Sequence, residues 1–232
     1  MKPERLEAFS DGVFAVALTV LVLEIKIPAG IDWSALQNVW PTFFSYLLSF
    51  LYIGIYWNNH HHLFGATHRI DAGMMWSNLH LLFWLTLFPF GTGWMDQSHF
   101  AARPTAVYGF VLLMAAIAYW YLQRNTLRLE GPSSALHREI GADLKGKLSP
   151  FLYLAGIGLA FVKPWLGCAF YVFVAAMWIV PDRRIERALG RSWTRVGLAP
   201  SLRRTNAMPR NRYRLPPSGS ASPMRSPSGP RM

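Results

Sequence analysis

The chain has 232 residues, 52% of them hydrophobic and 15% charged, with 10 Trp, 9 Tyr and 15 Phe; this is too apolar for an ordinary soluble domain and carries the aromatic enrichment of membrane interfaces. The formal net charge of +11 suggests a nucleic-acid partner until its position is read: ten Arg and no acid lie between Arg187 and Met232. The excess belongs to the tail, and a single cysteine, Cys168 in an apolar run, excludes an intrachain disulfide framework.

Residues 5–28, RLEAFSDGVFAVALTVLVLEIKIP, hold the first predicted element, an apolar helix of membrane length from Ala8 to Leu23. It lacks a small-residue cleavage pattern and is expected to stay in the mature protein. Asp11 near its start would cost about 2.5 to 3.5 kcal/mol if it faced lipid, so it is expected to face protein or water; the alternative places it at headgroup level as a cap or anchor. Helical spacing puts Gly12, Val16, Thr19, Leu23 and Ile27 on one face and Asp11, Ala15, Leu18 and Val22 on another. If the first face lines an axis, the result is a pore with hydrophobic narrow parts and one hydroxyl ring at Thr19.

Pro28 and Gly30 end this helix, and Ile31 to Asn38 read as a connector. A second span is predicted from about Val39 to Trp57, with Pro41 tolerated in its first turn. Asn58 to Ala72 is polar and holds His60, His61, His62, His68, Arg69 and Asp71. A third span follows over about 73–94, interrupted by Asn78, His80 and Pro89. The fourth, about Ala101 to Leu122, ends on the interfacial pair Trp120 and Tyr121. After a polar connection with a short surface helix at Ala135 to Leu144, the apolar run 148–181 is broken only by Lys163 and Pro164, long enough for two short spans joined by a tight turn, or for one span and a remainder.

The basic residues choose the topology. With six spans and both termini in the cytoplasm, 20 Lys and Arg lie inside against 3 outside, Lys26, Arg103 and Lys163, as the positive-inside rule requires. The predicted fold is therefore an all-α integral membrane protein of six transmembrane helices over residues 1–181, with a pore-lining first helix. Residues 182–198 space Ile185, Ala188, Leu189, Trp193 and Val196 among arginines, as an interfacial helix on anionic lipid would. Residues 199–232 form a basic Pro/Ser/Arg-rich tail expected to be disordered. A lipid partner explains the tail without nucleic acid.

The run Asn58-Asn59-His60-His61-His62 has no zinc-site spacing. One or two of these histidines are expected to hydrogen-bond polar groups at the ends of the first three spans, with a pH-sensitive contact from His60 or His61 to Asp11 as one option. Thr105-Ala106-Val107-Tyr108-Gly109 superficially matches a carbonyl-lined filter, yet it lies inside a continuous span whose carbonyls the helix uses. No phosphate loop, nucleophile elbow or paired carboxylates point to an enzyme, and no cofactor or structural metal is expected.

Arg5-x-x-x-Phe9-Ser10-Asp11-Gly12, the run Tyr56 to His62, Asp71, Asn78 and the Leu-Phe-Pro ending at Pro89 together resemble the transmembrane protein 175 family, the endosomal and lysosomal potassium channels and their bacterial relatives. The resemblance implies a homotetramer in a bacterial inner membrane, conducting potassium with modest selectivity along its first helices. It also implies a constriction at Val16, five residues after Asp11, with further rings at Thr19 and Leu23. Arg5, Phe9, Ser10 and Asp11 would support the pore helix through Trp57, His60 or His61, and Asn78. A secondary transporter, with broken helices near the midplane, and a non-conducting membrane scaffold are the competing classes.

Overall fold

The structure is a computed structural model, and it describes residues 2–28, 30–37, 39–131, 134, 136 and 144–179. The secondary structure among these residues is helical throughout: α1 (Pro3–Val22), α2 (Trp33–Gln37), α3 (Trp40–Gly65), α4 (Ala72–Thr86), α5 (Phe88–Gln97), α6 (Ala102–Glu130), α7 (Leu144–Val162) and α8 (Pro164–Ile179). The predicted interfacial helix 182–198 and the tail lie outside the described residues, as does most of the predicted surface helix 135–144.

Local chemistry sets the boundaries. α1 starts with Pro3 in its first turn and Glu4 beside the positive end of the helix, where a missing N–H costs nothing and a carboxylate is favoured. α4 is N-capped by Asp71, which accepts from the Met74 backbone N–H at 2.7 Å. The predicted third span is two helices, α4 and α5, joined at Leu87. Pro89 cannot donate to the carbonyl one turn back, and the chain restarts with the Gly91 N–H on the Leu87 carbonyl at 3.0 Å. α6 runs further than predicted, to Glu130, and stops where Gly131 takes φ of 83°, a conformation that suits glycine.

α6 is the centre of the fold, packed by α4, α5, α7 and α8, while α1 lies on α3 and α4. Tyr171 of α8 fills the seam between α6 and α7: its ring lies where side chains at Gly109 and Gly156 would stand, and its hydroxyl donates to the Thr105 carbonyl at 3.3 Å. Glycine lets the helices approach closely there. The filter-like string is thus an ordinary turn of α6, with Tyr108 and Gly109 buried. A second interior set of hydroxyls ties α3 to its neighbours, Ser49 bridging Thr92 at 2.6 Å and Tyr108 at 2.8 Å.

Among the described residues one helix, Ala102–Glu130, has by itself the length and hydropathy of a span, and Pro164–Ile179 is a shorter apolar helix. The reasons lie in composition: α1 carries Glu4, Arg5, Glu7 and Asp11, α3 holds three histidines and two asparagines in its last turns, and Pro89 divides the third segment. Large apolar side chains nevertheless stand exposed around the fold, among them Phe43, Leu47 and Phe50 on α3, Phe83 on α4, and Phe151 and Leu154 on α7.

Candidate functional site

The first helix divides sharply into two faces. Leu6, Ser10, Phe14, Ala17 and Leu21 are buried, and their spacing of three and four residues makes one stripe against α3 and α4. The opposite arc contains Gly12, Val16, Thr19 and Leu23; Val16 is 60% exposed and Leu23 78%. With about 100° per residue, Ala8, Phe9, Ala15, Val20 and Val22 widen the exposed arc on both sides. The Thr19 hydroxyl donates to the Val16 carbonyl at 2.8 Å, which leaves its oxygen lone pairs directed outward as acceptors.

A buried polar chain holds α1 from behind. The Ser10 hydroxyl donates to the Leu6 carbonyl at 2.8 Å and accepts from the Asn78 side-chain amide at 2.9 Å. Because that hydroxyl hydrogen is committed, the amide nitrogen of Asn78 must face Ser10, and its oxygen faces His60 Nε2 at 2.9 Å. The network therefore assigns the proton of a neutral His60 to Nε2. Ser10, His60 and Asn78 are all fully buried. The His60 ring stacks on Phe64 at 4.2 Å between centroids and meets the Phe14 ring of α1 edge-on at 5.4 Å. Its Nδ1 is buried without a hydrogen-bond partner.

On the exposed flank Trp57 donates its indole N–H to Asp11 at 3.0 Å, and His61 pairs with Glu7 at 2.8 Å. The contact from His60 or His61 to Asp11 is thereby corrected: Asp11 is bound by Trp57, and His61 by the acid one turn earlier. The reason is helical register, since Glu7 and Asp11 are four residues apart on the flank facing α3 and meet successive turns of it. Of the predicted support residues, Ser10, Asp11, Trp57, His60, His61 and Asn78 come together, whereas Arg5 and Phe9 stand exposed near the free arc. Glu7 and Phe14 were not foreseen; counting back one turn from Asp11 was the available signal for Glu7.

Farther along, the loop between α3 and α4 is tied to the end of α6. Glu130 accepts from the His68 backbone N–H at 2.7 Å and faces the His68 ring at 3.1 Å, and Arg128 reaches Asp71 at 3.1 Å. Burial pushes the Glu130 carboxyl up, but the N–H groups of His68 and Arg69 and the His68 ring outweigh it and hold the carboxyl below its ordinary value. Among the described residues no three His, Cys, Asp or Glu side chains gather as a metal shell would require. A cavity of about 40 Å³ lies between α3, α6, α7 and α8, walled by Tyr52, Tyr56, Tyr153, Ser149 and Trp178.

This geometry has close counterparts. A sequence profile of the endosomal/lysosomal potassium channel TMEM175 matches residues 5–89, the segment that builds α1 and the network behind it. A potassium channel of Chryseobacterium sp. (strain P1-3) is 48% identical over 189 residues, 82% of this chain and 98% of that one. A potassium channel of Streptomyces collinus is 36% identical over 190 residues, 74% and 88% of the two chains. The crystal structure of a lysosomal potassium-selective channel TMEM175 homolog from Chamaesiphon minutus superposes with a TM-score of 0.67 at 30% identity, covering 77% of this chain and 96% of that one. Fold and sequence together define an all-helical membrane protein of the channel class. The chain belongs to the TMEM175 family of potassium channels.

Proposed function

We propose that the chain is a potassium channel in which four copies bring the exposed arcs of α1 to a common axis. The observation that carries this reading is the two-faced first helix: one side is locked by Ser10, Asn78 and His60, and the other leaves Val16, Thr19 and Leu23 uncovered. The two bacterial relatives described above are named potassium channels, which supports the potassium part of the reading. Residues 1–181 would form the channel in six spans with both ends in the bacterial cytoplasm, in keeping with the distribution of Lys and Arg. The exposed apolar side chains would meet lipid, and residues 182–198 and the basic tail would lie against anionic headgroups.

A cation passing rings of Val16 and Leu23 finds no ligand to replace its water there, so the weakly hydrated potassium passes more readily than sodium, and dewetting can close the path. Thr19 offers four hydroxyl oxygens between the two apolar rings and would restore part of the hydration. Discrimination is expected to be modest. Reconstituted protein in planar bilayers under opposed potassium and sodium gradients tests the reading. Unitary currents reversing toward the potassium potential support it, and Val16→Asp should change their conductance and selectivity.

The broken third span favours one competing reading, since transporters place substrate at such breaks. Here the hydroxyl of Thr92 takes the Phe88 carbonyl at 2.7 Å, so that carbonyl is already used inside the subunit. The cavity of about 40 Å³ is also far below the volume that small-molecule sites enclose. Saturable uptake without unitary currents would support the transporter over the channel.

A further inference from the structure

We propose that His60 is a proton-operated seat for α1: the neutral ring holds the helix in its conducting position, and protonation unseats it and lowers potassium flux. The proposal rests on the reading of α1 as the pore helix. It follows from the hydrogen-bond directions. Neutral His60 donates from Nε2 to Asn78, whose amide donates to Ser10, whose hydroxyl donates to the backbone of α1. The first two links cross from α3 to α4 and from α4 to α1, and the chain ends on the pore helix itself.

A second proton must go to Nδ1, which is buried and has no acceptor. The ring would then carry a charge between Phe14 and Phe64, in surroundings that supply hydrogen bonding at one nitrogen only. A buried charge with an orphaned N–H is costly, and the ring relieves it by leaving its place or by admitting water. Leaving its place separates His60 from Asn78 and from Phe14 of α1. The charged or titratable groups that act on the ring are Asp11 of α1 and His61 of its own helix, and Glu7 of α1 lies beyond, bound to His61. From α4 it meets the neutral Asn78.

The other histidine contacts differ in geometry. His61 and His68 each turn Nδ1 to a carboxylate, Glu7 and Glu130, the acceptor that Nδ1 of His60 lacks. Acid inhibition therefore separates His60 from its neighbours.

The test is potassium efflux from liposomes holding the full chain, with pH equal on both sides and lowered from about 7.5 to about 5, past the range of a free imidazole because the second proton is costly in this buried place. Wild-type flux is expected to fall by about two- to tenfold, below the limit of tenfold per pH unit for one linked proton. His60→Gln keeps a donor toward Asn78 and cannot take the proton; its ratio of fluxes at the two pH values should stay near one, whatever its absolute flux. His61→Gln and His68→Gln should keep the wild-type fall. Hydrogen exchange over residues 6–21 of the wild type, corrected for the intrinsic pH dependence, should accelerate in step with the loss of flux, and this readout does not depend on the variant folding. A flat wild-type flux, a fall that survives in His60→Gln, a fall abolished by His61→Gln or His68→Gln, or unaltered exchange in α1 would each overturn the proposal. Absence of potassium flux at every pH contradicts the channel reading instead, and the exchange experiment still decides whether His60 seats α1.

Discussion

Asn78 joins α1 to α3: it donates to the Ser10 hydroxyl, which itself donates to the Leu6 carbonyl of its own helix, and it accepts from His60 Nε2, all three side chains fully buried. Asn78→Ala strands the imidazole N–H of His60 in the interior and unties Ser10 of α1 from α4, and it should cost about 1–3 kcal/mol, read as a lower melting temperature in detergent and faster exchange in α1. Asn78→Asp should do no better, because the carboxylate has no donor for Ser10. On the free arc, Thr19→Ala removes a hydroxyl that touches only its own helix. Stability should hardly change, while the potassium-to-sodium permeability ratio should fall by about two- to tenfold, the equivalent of one ordinary hydrogen bond. An unshifted reversal potential would remove Thr19 from the conduction pathway. At Glu130 the sign is set by its lowered carboxyl pKa. Such a group contributes stability that is full above its unfolded value and is lost as pH falls through the folded one. The melting temperature of wild type relative to Glu130→Gln should therefore be greatest at neutral pH and converge on the variant's in acid.

The helices themselves show which features are legible in a sequence. Val16, Thr19 and Leu23 could be placed on one face, and Asp11 on another, because a 3.6-residue period needs no partner to be read. The Lys163–Pro164 junction was legible for a similar reason: α7 and α8 meet where proline cannot continue a helix. Pro89 carried the same message and was read only as an interruption, although it separates α4 from α5. Partner choice across helices was not legible. Whether Asp11 meets His60, His61 or Trp57 depends on the rotation of α3 against α1, and that rotation is fixed by shape complementarity such as Phe14 against His60. The α6–α7–α8 seam is of this kind as well. Gly109→Ala puts a methyl where Tyr171 stands and should cost about 1–3 kcal/mol through overpacking, with the loss of the Tyr171 to Thr105 hydrogen bond. A smaller ring at the facing position, Tyr171→Leu, should partly rescue it.

At the scale of the whole molecule, the described residues leave an arc of α1 uncovered, and the assembly proposed for the chain turns that arc inward. The charge distribution frames the same arrangement: 20 of the 23 basic residues lie on one predicted side, twelve of them after Pro181. A chain ending at residue 181 should therefore keep its ion flux and lose most of its salt-sensitive affinity for anionic vesicles, at about 1 kcal/mol for each basic residue near the surface. The most direct measurement is block by a thiol-reactive cation in Val16→Cys with Cys168→Ala, recorded in bilayers during potassium current. If the first helices surround the ion path, the reagent should stop the current in this variant and leave Cys168→Ala alone unaffected. Potassium current that persists through complete modification of Val16→Cys would show that the ions travel elsewhere.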